Sequence, residues 1–288
     1  MRWDSSRRLL PWRGRPRSEA SRRLGTIAGN RTPDWQNRHM RWLAHGEHEL
    51  PAGTQWLSPR EREVLAGIRY TKRYTEFLTR RFTAKRALAA LLQRDPCPAA
   101  LAAIEIGNHP GGAPRVALDG RPAPIEVSLS DRAGWAVCLV GPPGSGLGPL
   151  GIDLEIVEPR SDAFIDDFFT ASERDFVRAL PAGGARDEAA NLIWSAKEAA
   201  LKVLKVGLRA DTREVEVEID RSRRTDGWAA LRVTARGGAA FPGWWRRDGV
   251  FLLTVAGSQP GDPPVPLHGG GDLASAEPTH SWLGRPLV

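Results

Sequence analysis

Hydrophobic and polar residues alternate along this chain with two periods, and each change of period marks an element. Ser58-Pro59-Arg60-Glu61 offers a capping hydroxyl, a proline at the first helical position and an acid in the first turn, so a helix is predicted to start there. A long basic amphipathic helix is predicted to follow, through Arg69-Tyr70-Thr71-Lys72-Arg73 to Arg80-Arg81-Phe82-Thr83-Ala84-Lys85-Arg86. Phe77, Phe82, Leu88, Leu91 and Leu92 form its core-facing stripe. The period then shortens to that of strands. Ile104-Glu105-Ile106 and Arg115-Val116-Ala117-Leu118 read as short strands with Asp119-Gly120 as a turn. Ile125-Glu126-Val127-Ser128-Leu129-Ser130 and Gly134-Trp135-Ala136-Val137-Cys138-Leu139-Val140 read as a hairpin turning across Asp131-Arg132.

Two acidic clusters stand out in the second half. Gly151-Ile152-Asp153-Leu154-Glu155 reads as a short buried strand, and residues two apart in a strand share a face, so Asp153 and Glu155 lie side by side. Trp194-Ser195-Ala196-Lys197-Glu198-Ala199-Ala200-Leu201-Lys202 reads as a helix, where Glu198 and Lys202, four apart, project together. Packing that helix on that strand would bring three carboxylates beside a lysine. Such a set suits a hard, oxygen-preferring cation such as Mg²⁺, with a cation at hand for a phosphate. Taken singly, each cluster has an ordinary reading. The first fits a strand with one wet face, and the second fits a surface ion pair worth a few tenths of a kcal/mol. Between them, Phe168-Phe169-Thr170-Ala171-Ser172-Glu173 is a helix start with Thr170 as cap and Glu173 reaching back. Beyond them, residues 213–220, 228–235 and 249–256 alternate as strands of an antiparallel meander.

Composition narrows the picture. The chain of 288 residues is 41% hydrophobic and 26% charged, as an ordinary globular protein is, and holds one large domain or two small ones. Its two cysteines, Cys97 and Cys138, make no disulfide framework, and a cytoplasmic protein is expected. No apolar run is long enough to span a membrane. The formal charge of +7 is uneven, because residues 1–45 hold eleven arginines against Asp4, Glu19 and Asp34, leaving the rest near neutral. Residues 1–45 read as a disordered basic arm and residues 258–288, rich in Pro, Gly and Ser, as a disordered tail. The charge of the arm is therefore weak evidence for nucleic-acid binding, which is the alternative from another functional class.

The order of the two acidic clusters, with Phe168-Phe169-Thr170 between them and Gly207-Leu208 after them, resembles the 4′-phosphopantetheinyl transferase superfamily. The resemblance is strongest over residues 148–210 and weaker over 55–147. It implies an α+β fold built as a pseudo-dimer of two similar subdomains, 46–147 and 148–257, with the site between them. It also implies transfer of 4′-phosphopantetheine from coenzyme A to a serine of an apo acyl, polyketide or peptidyl carrier protein, releasing adenosine 3′,5′-bisphosphate. By carry-over, Asp153, Glu155 and Glu198 ligate Mg²⁺, and Lys202 contacts a phosphate. Glu198 or a metal-bound water takes the serine proton. Lys72, Arg73 and Arg81 on the basic helix are candidates for the phosphates of coenzyme A, and Lys197 either adds cationic character or faces solvent. The size and two-halved organisation resemble the monomeric surfactin-synthetase-type branch, which accepts secondary-metabolism carriers.

The sequence departs from the family in the region resembling "GKP…NISHS". The family's lysine is matched by Ala113 in Gly112-Ala113-Pro114 or by Arg121 in Gly120-Arg121-Pro122, with Arg121 preferred on chemical grounds. The family's histidine falls on Asp131, which would repel a phosphate unless it turns away and Arg132 supplies the charge. A protein that binds coenzyme A without turnover is therefore the nearest alternative.

Overall fold

The computed structural model describes residues 39–205 and 210–279. Strand β1 (Arg41–Gly46) comes first, with Trp42, Leu43, Ala44 and His45 buried. The basic arm expected over 1–45 thus ends before Arg41, because these apolar residues pair into a sheet; residues 1–38 lie outside the described residues. Helix α1 (Pro59–Ala66) starts as its residues dictate. Glu61 N–H donates to Ser58 Oγ at 3.2 Å, and Ser58 N–H donates back to the Glu61 carboxylate at 2.8 Å. Helices α2 (Thr71–Leu91) and α3 (Pro98–Ala102) follow, then a small sheet of β2 (Ile104–Asn108), β3 (Pro114–Leu118) and β4 (Arg121–Ala123). The hairpin of β5 (Glu126–Arg132) and β6 (Trp135–Gly141) turns at Ala133-Gly134, not at Asp131-Arg132. A two-residue turn of this hand needs positive φ at both positions, and Ala133 and Gly134 have φ of 49° and 80°.

The second half repeats the plan. Strand β7 (Leu150–Ile156) leads to α4 (Asp162–Phe168), α5 (Ala171–Ala179) and α6 (Gly184–Val203). Four strands complete it: β8 (Val215–Thr225), β9 (Trp228–Ala235), β10 (Ala240–Asp248) and β11 (Phe251–Gly257). They form one sheet in the order β7-β11-β10-β9-β8. Strand β8 starts later than residue 213 because Thr212–Glu214 forms a 3-10 turn. Strand β10 is hidden in the sequence by Pro242 and Gly243, which look like breakers. Pro242 nonetheless pairs with Arg232, and a Cβ at Gly243 would lie 2.1 Å from the Val255 carbonyl oxygen. The glycine-leucine turn at 207–208 lies outside the described residues.

The tail expected from residue 258 is not a tail as far as Thr279. Strand β12 (Val265–Pro266) runs parallel to β1, giving the first sheet the order β12-β1-β6-β5, and Leu273 is buried. An extended Pro/Gly segment lacks periodicity, yet the exposed edge of β1 gives its backbone partners.

The layers run helix, sheet, sheet, helix. Trp42, Trp135 and Leu139 meet Ile152, Leu154, Trp228 and Phe251 between the two sheets. Helix α2 covers the far face of the first sheet with Phe77, Phe82 and Leu88, and α6 covers that of the second with Leu192, Ala196 and Ala199. Burying such side chains contributes roughly 1.5–3 kcal/mol each. The mixed α+β fold therefore consists of two halves of like construction, down to one buried device. Glu61 Oε1 accepts from Ile106 N–H at 2.9 Å and its Oε2 meets Lys85 at 2.6 Å. Glu173 Oε1 accepts from Val217 N–H at 2.8 Å and its Oε2 meets Lys197 at 2.7 Å.

Candidate active site

The two sheets touch edge to edge where β5 runs beside β7, and serine hydroxyls replace a backbone ladder. Ile152 N–H donates to Ser128 Oγ at 3.0 Å, and Ser130 Oγ donates to Asp153 Oδ1 at 2.8 Å. All of β7 is buried, as the reading of a short buried strand expects, and the wet face of the ordinary reading is absent. Ile152, Leu154 and Ile156 enter the core between the sheets, and Asp153 and Glu155 turn to α6. Helix α6 approaches so closely that a Cβ on Gly151 would sit 1.9 Å from the Ala199 carbonyl oxygen. The glycine beginning this cluster is a packing requirement.

Asp153 is held from several sides. Ser195 Oγ donates to its Oδ2 at 2.8 Å, and Lys202 Nζ lies 2.8 Å from Oδ1 while also donating to the Ile152 carbonyl at 2.8 Å. Glu155 accepts from Trp194 Nε1 at 3.0 Å and from Arg160 Nη2 at 3.0 Å, with Arg132 Nε 3.1 Å away. Burial and Asp153 push the Glu155 carboxyl up, and the two arginines pull it back. Asn191 Oδ1 fixes Arg160 through a 2.7 Å bond from Nε. Glu198 is different. Its Oε1 is buried with no hydrogen-bond partner, and its carboxyl is pushed up to about 7, first by burial and then by Asp153, with Lys202 opposing. The three carboxylates are thus near enough to feel one another's charge, and Lys202 meets Asp153.

The other expected residues divide. Arg132 reaches the site, where it pairs with Glu155 and Glu158. Lys197 does not. It is fully buried on another face of α6, ion-paired to Glu173 and donating to the Thr212 and Val215 carbonyls at 2.9 and 2.7 Å. Lys72 lies 3.8 Å from Glu76 on the exposed side of α2, and the Arg73 guanidinium sits 6.0 Å from the Tyr70 ring centre. Arg121 is exposed on β4, the outer strand of the small sheet.

A cleft of about 390 Å³ opens beside Lys202, whose ammonium meets Asp153. Arg80, Arg81, Lys202 and Lys205 line it, with Phe77, Leu129, Ala113 and a single acid, Glu126. The Gly112-Ala113-Pro114 loop, rather than Arg121, is therefore the wall of the cleft. Leu129 faces it, while Asp131 pairs with Arg80 at 2.5 Å, so its charge is offset inside the protein. Burial brings the Arg81 guanidinium down to about 10, which leaves it cationic, and it stacks 4.7 Å from the Phe77 ring centre. Arg80 and Lys205 were not singled out by the sequence, although helical spacing already sets Arg80 near Phe77.

Among the described residues, no three His, Cys, Asp or Glu side chains are arranged as a metal-binding group. The reason is visible: Asp153 and Glu155 are turned to Lys202, Arg132 and Arg160. The donors nevertheless fit Mg²⁺ in kind, being hard oxygens, and Glu198 Oε1 is buried without a partner. No described helix is long and apolar enough to cross a membrane. Residues 149–235, which span β7, α6 and β9, match the family model of the 4′-phosphopantetheinyl transferase superfamily. No curated protein matches the chain.

Proposed function

We propose that this chain is a transferase that moves the 4′-phosphopantetheine group of coenzyme A to a serine of an apo acyl, polyketide or peptidyl carrier protein, as a monomer of the surfactin-synthetase type. The observation that carries the reading is the convergence of Asp153, Glu155 and Glu198 with Lys202 beside a cationic cleft, inside the segment that matches the superfamily.

The chemistry follows from those positions. Arg80, Arg81, Lys202 and Lys205 take the diphosphate and offset charge that grows on the leaving group. Glu198, whose buried Oε1 has no hydrogen-bond partner among the described residues, accepts the proton of the carrier serine. A bond forms from the serine oxygen to the phosphorus that bears pantetheine. The bond from that phosphorus to the bridging oxygen breaks, and adenosine 3′,5′-bisphosphate leaves with the electron pair. Asp153 holds Lys202 in place, and Trp194 and Arg160 hold Glu155. Mg²⁺, held by Asp153, Glu155 and Glu198, would neutralise further charge on the diphosphate.

Intact mass of an apo carrier protein after incubation with this protein, coenzyme A and Mg²⁺ tests the reading. The expected result is an EDTA-sensitive gain of about 340 Da, lost in Asp153→Asn with the fold retained. Coenzyme A binding without a mass gain on any carrier type would refute turnover. It would favour the second reading, a coenzyme-binding protein without turnover, which the engagement of Glu155 by two arginines supports.

A further inference from the structure

The two halves share a register as well as a plan, and that register locates a second copy of the site. Gly46 pairs with Trp135 where Ile156 pairs with Phe251, so Leu43 and His45 occupy the places of Asp153 and Glu155. Lys85 and Lys197 make the same ion pair, so Phe82 stands where Trp194 does and Arg86 where Glu198 does. The contacts agree, since His45 packs edge-on against Phe82 as Glu155 bonds Trp194. A leucine, a histidine and an arginine thus replace the three carboxylates.

This second copy is filled by the chain itself. Val265, Leu267 and Gly271 N–H donate to the Met40, Trp42 and Ala44 carbonyls, each at 2.8 Å. The Gly269 carbonyl lies 3.0 Å from His45 Nε2 and 3.4 Å from Arg86 Nη2. His45 is only 2% exposed. A Cβ on Gly270 would lie 2.7 Å from Leu43 Cδ1, and one on Gly271 2.7 Å from Trp135 Cζ3. A side chain at either position would require the groups lining the seat to shift.

We infer that the second copy of the site has become a binding seat for an extended, glycine-bearing peptide strand, whose ligand is residues 265–273 of the same chain. The edge of β1 supplies backbone hydrogen bonds, the general basis of recognition by strand addition. His45 and Arg86 hold one carbonyl, and Leu273 anchors the far end in the core between the sheets. The segment then continues to the β5–β6 hairpin, where Thr279 N–H donates to the Ala133 carbonyl at 2.7 Å, next to Arg132.

The test uses the full-length chain with a protease recognition sequence inserted between Gln259 and Pro260, both exposed, and cleaved after folding. At micromolar concentration the C-terminal fragment is expected to co-elute with the body in gel filtration, and excess synthetic peptide of residues 262–275 to displace it. Hydrogen exchange over residues 40–46 should rise only on displacement. Leu267→Pro, which removes the N–H given to Trp42, should weaken retention roughly tenfold. Separation of the fragment at that concentration overturns the inference, as does retention that Leu267→Pro leaves unchanged.

Discussion

Lys197→Met separates the two roles open to a lysine that precedes Glu198. Methionine keeps most of the volume and removes the ammonium. That ammonium meets Glu173 at 2.7 Å and the Thr212 and Val215 carbonyls at 2.9 and 2.7 Å, and the side chain is 0% exposed, so water cannot replace it. Its loss leaves the Glu173 carboxylate, 3% exposed, without its counter-charge. Breaking one side of a buried pair costs about 3–5 kcal/mol. With two carbonyls also left short of a donor, the upper part of that range is expected. Glu173→Gln combined with Lys197→Met should recover roughly half, because no charge then remains buried. Urea unfolding followed by tryptophan fluorescence reads this directly. At a few kcal/mol per molar urea, the midpoint should fall by roughly 1–2 M, with coenzyme A affinity of the folded protein unchanged. An unchanged midpoint with weakened coenzyme A binding would refute the reasoning and put Lys197 at a phosphate.

Glu198 predicts a pH dependence. Its carboxyl stands at about 7 against an ordinary 4.5, so the folded protein holds a proton that the unfolded chain releases in between. Its contribution is complete below 4.5 and lost as pH rises through about 7. In Mg²⁺-free buffer the loss amounts to at most about 3 kcal/mol, and Glu198→Gln should flatten it in melts run from pH 4.5 to 8; an unchanged slope would contradict the assignment. Gly151→Ala must part β7 from α6, since its Cβ would sit 1.9 Å from the Ala199 oxygen. The expected loss is about 3 kcal/mol, with turnover falling on the order of a hundredfold as Glu198 moves off Asp153. A wild-type melting temperature would rule out the close approach.

Much of the site was legible because its signals are local. The capping boxes at Ser58 and Thr170 form because the acid three residues on reaches back to the cap. Strand and helix periods are enough to put Asp153 beside Glu155 and Glu198 beside Lys202. The helical period leaves Lys197 open between adding cationic character and facing solvent; its burial against Glu173 and two carbonyls depends on partners outside the helix. Strand β10 was not legible, since Pro242 and Gly243 are tolerated there only by their neighbours in the sheet.

By itself, then, the sequence determined the caps, the alternation of β7, the shared face of Glu198 and Lys202, and the family resemblance they carry. Each depends on residues within a turn or two of one another. Tertiary structure alone decided that Glu198 keeps an unpartnered oxygen while Glu155 is gripped by Arg132 and Arg160, and that Arg80 and Lys205 line the cleft. It also decided that residues 265–273 lie along β1. Burial and charge pairing depend on partners far apart in the chain, and a local pattern holds no record of which distant group arrives.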